Sequence, residues 1–200
     1  MSSLKLPREF YERDDVVGIS RELIGKVLCT KIDGVFTSGI IVESEAYHGR
    51  NDRACHAFPD VKTPRTSIMY GPPGFAYVYL CYGIHHLFNV VANKEGLADA
   101  VLIRAVQPVD GVEFMMERRG KEKIHPSVGN GPGILSQALG ITTKLYGSDL
   151  LGNQIWIEDR GITYKDSEII SGPRVGVAYA GEDANLPWRF SVKNSKWVSK

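Results

Sequence analysis

The segment Ile41-Val42-Glu43-Ser44-Glu45-Ala46-Tyr47 alternates in polarity with the period of a β-strand. Successive side chains of a strand point to opposite faces of its sheet. The two glutamates and the tyrosine therefore share one face, and the smaller or apolar residues between them share the other. Because two carboxylates and a tyrosine make a poor core, this face is predicted to line a cleft.

A second stretch is dense in tyrosine: Tyr70, Tyr77, Tyr79 and Tyr82 are four of the nine tyrosines of the chain. Tyr77 and Tyr79 share one face of a predicted strand, and Tyr82 followed by Gly83 indicates the turn after it. Tyrosine offers a flat ring for stacking and a hydroxyl for hydrogen bonding. Since proteins hold single bases by stacking them on aromatic rings, the stretch favours a pocket for a planar ring.

Several short motifs occur in an order and spacing that is more specific than any one of them. They are Glu45-Ala46-Tyr47, Asp52, His56, Thr63-Pro64-Arg65, Pro73-Gly74, Tyr77-Val78-Tyr79, Tyr82-Gly83, Asn89 and Arg104. With these residues the chain resembles the alkyladenine (3-methyladenine) DNA glycosylase family, the eukaryotic-type enzyme and its bacterial relatives rather than the helix-hairpin-helix glycosylases. The resemblance extends from about residue 21 to about residue 197.

The resemblance implies a mixed α/β fold of the α+β type, a single domain over residues 1–200 with a curved, largely antiparallel sheet and surrounding helices. The period-2 segments agree with it, and residues 1–13 are expected to form an N-terminal arm. Asp33-Gly34 predicts a type I′ hairpin turn. Strands are predicted at 26–32, 35–47, 67–70, 76–82, 86–92, 100–105, 154–158 and 190–192, and helices at 16–24 (capped by Asp14 or Asp15), 110–119 and 132–139.

Excision of a base requires a nucleotide to leave the helical stack, and then a catalyst to activate water. The resemblance implies that Glu45 is the general base, in the manner of an inverting glycosidase. It implies that Arg104 helps to hold the water and the adjacent phosphate, and that the backbone carbonyl of Val175 contacts the same water. From the residues alone, Glu45 could also be a surface glutamate, and Arg104 could belong to a structural ion pair.

The resemblance also assigns the residues that would hold a flipped base. Tyr47, His56 and Tyr79 match those that sandwich it and contact its edge, and Asn89 matches a residue that disfavours the amino group of guanine. Tyr82 matches the wedge that fills the vacated gap, which costs unstacking energy but keeps the flipped state open. Each of these side chains also has an ordinary structural interpretation, as core, turn or hairpin-capping residue.

Basic and loop residues suggest contacts with phosphates, which position a protein without specifying sequence. Arg65, His85 and Gly131 are candidates, the last because Gly131-Pro132-Gly133 leads into a helix with free amides. The chain departs from the family pattern here, since Ile134 stands where a lysine usually follows. Two basic clusters add further candidates, although each could be a solvated loop: Arg50, Arg53, Lys62 and Arg65, and Arg118, Arg119, Lys121 and Lys123.

Composition limits the class of protein. Two hundred residues with 43% hydrophobic and 24% charged residues are ordinary for one globular domain. The net charge of +1 neither supports nor excludes DNA binding, because a binder needs a basic face rather than a basic total. Three cysteines without a CxxC motif indicate reduced thiols and a cytoplasmic protein, and the absence of long apolar runs predicts no signal peptide and no membrane span.

The sequence therefore predicts a monomeric, monofunctional glycosylase that hydrolytically excises alkylated or deaminated purines, such as 3-methyladenine, hypoxanthine and ethenoadenine, from double-stranded DNA in base excision repair. It is expected to need no cofactor and no metal. No lysine lies in the motif beside Glu45, so no lyase activity through a Schiff base is expected.

Two alternatives from other classes stay open. A metal-dependent hydrolase could use several His, Glu and Asp side chains, but their spacing fits none of the usual zinc patterns. These side chains are Glu43, Glu45, His48, Asp52, His56, His85 and His86. A catalytically silent base-binding module would explain the tyrosines alone, and it would tolerate the loss of the Glu45 carboxylate.

Overall fold

The segment IVESEAY lies in the longest strand, which is central to the sheet. In the computed structural model, which describes residues 4–199, this strand is β2 (Val35–Tyr47). One edge pairs with β1 (Val27–Ile32) and, further along, with β8 (Arg189–Val192). The other edge pairs with β5 (Asp99–Asp110) over most of its length. Residues near the end of β2 are thus covered on both edges by other strands.

The other strands extend this centre on both sides, and all the pairings are antiparallel. They are β3 (Ala76–Cys81), β4 (His85–Ala92), β6 (Ile155–Glu158) and β7 (Ile169–Gly172). Within residues 4–199 the sheet has eight strands in the order β3-β4-β5-β2-β1-β6, with β7 beside β8. The prediction of a mixed α/β domain on an antiparallel sheet is confirmed.

Short helices surround the sheet. The α-helices are α1 (Arg8–Tyr11), α2 (Val16–Glu22), α3 (Val112–Arg118) and α4 (Pro132–Leu139), and 3-10 helices lie at Ser67–Tyr70, Pro126–Val128, Thr143–Leu145, Asp166–Glu168 and Ala178–Asn185. Asp15 caps α2 by accepting a hydrogen bond from the Gly18 amide at 2.8 Å. α4 begins at a proline and ends at Gly140, whose φ of 72° suits a helix stop.

The two faces of the sheet have different neighbours. Val42 and Ala46 point into the main apolar core, which α2 and α4 cover. Tyr47 lies on the opposite face and packs with Tyr77 and Ala100 in a second, smaller cluster. The two faces predicted for residues 42–47 are therefore confirmed, whereas Ile41, before a register shift, lies in the main core beside Val42.

Some predicted elements were wrong. Ser67–Tyr70 is a 3-10 helix rather than a strand, because a segment of only four residues carries too little periodicity to separate the two. Asp110 ends β5 instead of opening a helix, and α3 begins only at Val112.

The predicted N-terminal arm is described from residue 4 onward, and its first three residues lie outside the described part. Leu6 donates its backbone N–H to Ile157 at 2.8 Å, and Tyr11 is fully buried. Residues 4–11 thus form part of the packed domain.

Two tight turns join neighbouring strands. Asp33 and Gly34 connect β1 to β2 with φ values of 51° and 81°, as predicted for a type I′ turn. Tyr82 and Gly83 follow β3 with φ values of 51° and 74°. Both pairs adopt the left-handed backbone region.

Candidate active site

The strand register places five side chains in one row across the sheet. Tyr77 pairs with Asn89, Asn89 with Leu102, Leu102 with Glu45, and Glu45 with Arg189. Side chains of directly paired residues lie on the same face. The row therefore brings residues from β3, β4, β5, β2 and β8 to one floor.

A cavity of about 420 Å³ opens above this floor, within the range of roughly 300–1,000 Å³ that is usual for small-molecule sites. Its lining is largely apolar and includes five tyrosines, with a few polar or charged groups. The predicted site residues Tyr47, His56, Arg65, Tyr79, Tyr82, Asn89, Arg104 and Val175 all line it. The structure thus brings together side chains that are spread over 129 positions from Tyr47 to Val175.

Glu45 lies immediately behind the cavity wall and has no exposed surface. Its carboxylate accepts hydrogen bonds from the Tyr47 hydroxyl at 2.7 Å, the Arg104 Nη1 at 3.3 Å and the Val175 backbone N–H at 2.7 Å. All three donors line the cavity. These three groups therefore lie between the cavity and the Glu45 carboxylate.

Arg104 bridges the two carboxylates of β2. Its Nε donates to Glu43 at 3.1 Å and its Nη1 donates to Glu45. Burial acts to lower the pKa of the Arg104 guanidinium, but the charges of Glu45 and Glu43 outweigh it and the pKa is raised. Arg104 therefore stays a cation at the floor.

Glu43 does not fit the predicted cleft wall. It is fully buried and forms ion pairs with Arg104 at 3.1 Å and with Arg189 at 2.6 Å. The carboxylate lies on the same face as Glu45, as the strand period predicted, but Glu43 is fully buried, and Arg104 rather than Glu43 lines the cavity. The sequence pattern specifies the face of a side chain and not how deep it lies.

A second buried ion pair supports the opposite wall. Arg174 donates to Asp52 at 2.8 Å and to the Ala46 carbonyl at 2.9 Å. Its guanidinium lies 4.8 Å from the centre of the Tyr47 ring and 5.2 Å from that of Trp188. Sequence reasoning missed Arg174, although an arginine beside Val175 in an otherwise uncharged run was a usable signal.

His56 joins three aromatic and basic neighbours at the mouth of the cavity. Its Nε2 lies 3.1 Å from Arg65 Nη2 and its Nδ1 lies 2.8 Å from the Tyr77 hydroxyl. Because arginine only donates, Nε2 accepts and Nδ1 carries the proton. Burial of the ring and the Arg65 charge lower the pKa of His56 to about 4. The residue remains solvent-accessible, so water offsets part of the desolvation, but both causes favour the neutral imidazole.

The aromatic wall continues from His56. The His56 ring stands edge-on to Tyr79 with centroids 4.7 Å apart, and Arg65 lies 4.7 Å from the Tyr79 ring. Asn89, which is 4% exposed, donates its side-chain amide to the Tyr77 carbonyl at 3.1 Å. These contacts hold the Tyr79 ring, the Arg65 guanidinium and the Asn89 amide around the same cavity.

The rim of the cavity carries exposed aromatic residues. Tyr82 is 92% exposed and projects from the turn after β3. Tyr179, on the facing 3-10 helix, is 69% exposed and donates its hydroxyl to the Ala54 carbonyl at 3.1 Å. Sequence reasoning missed Tyr179, because a tyrosine in an irregular segment has no periodic signal.

Two predicted contact residues lie away from this cavity. His85 is exposed and lines a second cavity of about 590 Å³ with His86, Arg118 and Lys144. Gly131 is buried at the start of α4, one of the places where a helix leaves amides unpaired. Their roles as phosphate contacts stay predictions.

No group of three or more His, Cys, Asp or Glu side chains in residues 4–199 is arranged to hold a metal ion. Over the same residues, no helix has both the length and the apolar character to cross a membrane.

Comparison with known proteins agrees with the geometry. The family model described as methylpurine-DNA glycosylase matches residues 9–196. Proteins of Desulfitobacterium hafniense and Clostridium acetobutylicum are 43% and 44% identical, each over 98% of this chain and 98% of the relative. A protein of Methanocella arvoryzae is 45% identical over 98% of this chain and 96% of the relative. All three relatives carry the name "Putative 3-methyladenine DNA glycosylase". The chain belongs to the methylpurine-DNA glycosylase family.

Proposed function

We propose that this protein flips damaged purines out of double-stranded DNA and hydrolyses their N-glycosidic bonds with a water molecule activated by Glu45. The observation that carries the proposal is the position of Glu45 directly behind an aromatic cavity, held by three donors that themselves line it. A carboxylate so placed borders the space where a base and its sugar would lie.

The cavity wall supports recognition of a purine. Tyr47, His56 and Tyr79 supply ring surfaces, and a neutral His56 offers a protonated Nδ1 and an accepting Nε2 without adding charge. Asn89 presents its side-chain amide on the wall nearest Tyr77, which fits a role in rejecting the amino group of guanine. Alkylated and deaminated purines such as 3-methyladenine, hypoxanthine and ethenoadenine are the expected substrates.

The chemical step needs a general base that activates water and a negative charge that stabilises the cation forming at the sugar. Glu45 would take the proton of water, and its negative charge together with a water-excluded floor would favour the oxocarbenium-like transition state. Arg104 would hold the same water or the adjacent phosphate, with the Val175 backbone beside it. For water to touch Glu45, the Tyr47, Arg104 or Val175 donor must shift as substrate enters.

Tyr82 is positioned to act as the wedge. It extends from the turn at the cavity rim with almost its whole surface exposed, and an aromatic ring inserted between bases offsets the cost of unstacking. Arg65 lies beside the same opening, where a phosphate of the flipped nucleotide would pass.

Simple hydrolysis without strand cleavage is proposed. No lysine lines the cavity among the described residues, so no amine is supplied there for a Schiff base. We further propose that the protein acts as a monomer without a cofactor and works in the cytoplasm. The three cysteines are free thiols, as in proteins of a reducing compartment.

The test is single-turnover release of hypoxanthine or ethenoadenine from a duplex with one lesion, in the presence of chelator. Glu45→Gln is expected to lower the rate by about 10²–10⁴-fold, the usual contribution of a general base. Glu158→Gln is the matched control, because Glu158 is also paired with an arginine, Arg160 at 2.8 Å, but lies on β6. The control variant should keep the wild-type rate.

Other outcomes discriminate among the alternatives. Equal release by wild type and Glu45→Gln would remove Glu45 as the base. Loss of activity with chelator alone would favour a metal-dependent hydrolase. Binding of the lesion duplex without release of any base, 3-methyladenine included, would identify a base-binding module.

A further inference from the structure

Glu43 receives more hydrogen bonds than a carboxylate that only fills the core would need. Its Oε1 accepts from Arg104 Nε at 3.1 Å, Arg189 Nε at 2.6 Å and the Ser199 hydroxyl at 2.9 Å. Its Oε2 accepts from the Ser199 backbone N–H at 2.7 Å. The two oxygens are surrounded by four donors and no acceptor. A carboxylate can accept from all four donors, whereas the proton of a protonated carboxyl group would find no acceptor.

Arg104 connects this carboxylate to Glu45. A guanidinium is a rigid planar fork, so fixing one of its edges orients the other. Nε is held by Glu43 and Nη2 lies 3.3 Å from the Ser199 hydroxyl, while Nη1 points to Glu45 at 3.3 Å. Without Glu43 and Ser199, Arg104 could rotate about its side-chain bonds and Nη1 would leave Glu45.

The local backbone also favours a dedicated role for Glu43. The register between β2 and β5 shifts on either side of this residue. Such irregularities re-aim a side chain and recur beside active sites. Here one of the shifts lies between Glu43 and Glu45, whose carboxylates both pair with Arg104.

Ser199 reaches the floor because the segment before it is anchored. Trp197 is 6% exposed and belongs to the main core, which holds the following residues against β2. Ser199 then supplies both its amide and its hydroxyl to Glu43. A residue 154 positions after Glu45 thus takes part in the same hydrogen-bond network.

We propose that Glu43 and Ser199 are positioning residues that hold Arg104 in the orientation needed at Glu45. The proposal rests on the proposed function for its catalytic consequence, but the orientation of Arg104 can be measured independently of activity. A purely structural role, in which Glu43 only neutralises two buried arginines, predicts lower stability without a specific effect on the chemical step.

The first experiment measures single-turnover excision and duplex affinity for Glu43→Gln, Ser199→Pro and Ser199→Ala. Glu43→Gln is expected to lower the rate about 10²-fold, as small misplacements of reacting groups do, with unchanged duplex affinity. Ser199→Pro, which removes the N–H donor, should lower the rate about tenfold, and Ser199→Ala somewhat less. Ser38→Ala is the matched control, since the Ser38 hydroxyl donates to the Asp110 carboxylate at 2.6 Å at a distant part of β2.

The second experiment repeats Glu43→Gln in an Arg104→Met background. Because Glu43 acts through Arg104, the substitution should then have no further effect on the rate. Equal fold-losses in both backgrounds would overturn the proposal, as would a loss of duplex affinity or stability in Glu43→Gln with an unchanged rate.

The third measurement is the NMR signal of the Arg104 Nε–H group. In Glu43→Gln and Ser199→Pro it should shift and exchange faster with solvent, whereas Ser38→Ala leaves it unchanged. An unchanged signal in both variants would overturn the proposal even if activity falls. A changed signal in a protein that excises no lesion would sustain the positioning of Arg104 and refute the proposed function. If Glu43→Gln does not fold, Ser199→Pro decides the case, because it alters only a segment near residue 200.

Discussion

Two hairpin turns of the sheet share a backbone conformation and differ in the residue that must adopt it. Asp33-Gly34 and Tyr82-Gly83 both have two successive positive φ values. Aspartate tolerates the left-handed region, while a bulky residue there is strained by about 1–3 kcal/mol. Tyr82 is also 92% exposed, so little packing offsets this strain. The comparison teaches that the first turn places a residue suited to this conformation, whereas the second accepts backbone strain and leaves its ring exposed, as the proposed wedge would require.

The largest expected effect is on the excision rate, which should depend on the second turn and not on the first. Tyr82→Asn keeps a residue suited to positive φ but removes the ring. Duplex excision should fall by one to two orders of magnitude, because base–aromatic stacking contributes about 1–3 kcal/mol. Single-turnover release measures it, and Asp33→Asn should match wild type. An unchanged rate in Tyr82→Asn would break the comparison.

A smaller effect concerns stability. Tyr82→Asn should raise the free energy of unfolding by about 1 kcal/mol, since the strain is relieved. Asp33→Tyr, which places a bulky residue in the left-handed region of the first turn, should lower it by about 1 kcal/mol for the same reason. Denaturant titration measures both changes, and shifts of the same sign would refute the account of strain.

The smallest effect comes from the base of the second turn, where His56 packs on Tyr79 of β3. The pKa of His56 falls from 6.5 to about 4 on folding, chiefly by burial and then by the Arg65 charge. The unfolded state therefore takes up its proton first, so this contribution to stability is present above pH 6.5 and is lost as the pH falls toward 4. Because water reaches His56, the effect should be modest.

Thermal melts at pH 7.5 and pH 5 test this sign. His56→Gln should lose less stability on acidification than wild type, whereas Asp33→Tyr should lose as much as wild type. A His56 NMR titration with a midpoint near 6.5 would contradict the lowered pKa of the imidazole.

Local patterns explain why much of the fold could be predicted. Alternation assigned the faces of β2, and Asp33-Gly34 specified its turn. Ser67–Tyr70 failed because so short a segment does not distinguish a strand from one helical turn. The motifs named most of the aromatic and charged side chains that line the cavity, since their order along the chain is informative even when their contacts are unknown.

The rest of the site depends on tertiary partners that no local pattern shows. Glu43 and Glu45 are equivalent in the alternation, yet only Glu43 lies between two arginines. Arg174 and Ser199 act through contacts with residues more than 120 positions away. Such pairings follow from how β8 and the segments beside it fold back against β2.

The floor and the rim of the site should differ in how well they tolerate substitutions. The middle of the floor is built from β2, β5 and β8, whose backbone groups pair on neighbouring strands, so exposing it requires opening the centre of the domain. Tyr82 and Arg65 stand on turns and Tyr179 on a short 3-10 helix at the rim, where surface substitutions usually cost little stability. A search for variants with altered lesion preference should therefore randomise the rim and leave the floor intact, and its successful variants should keep the melting temperature of the parent.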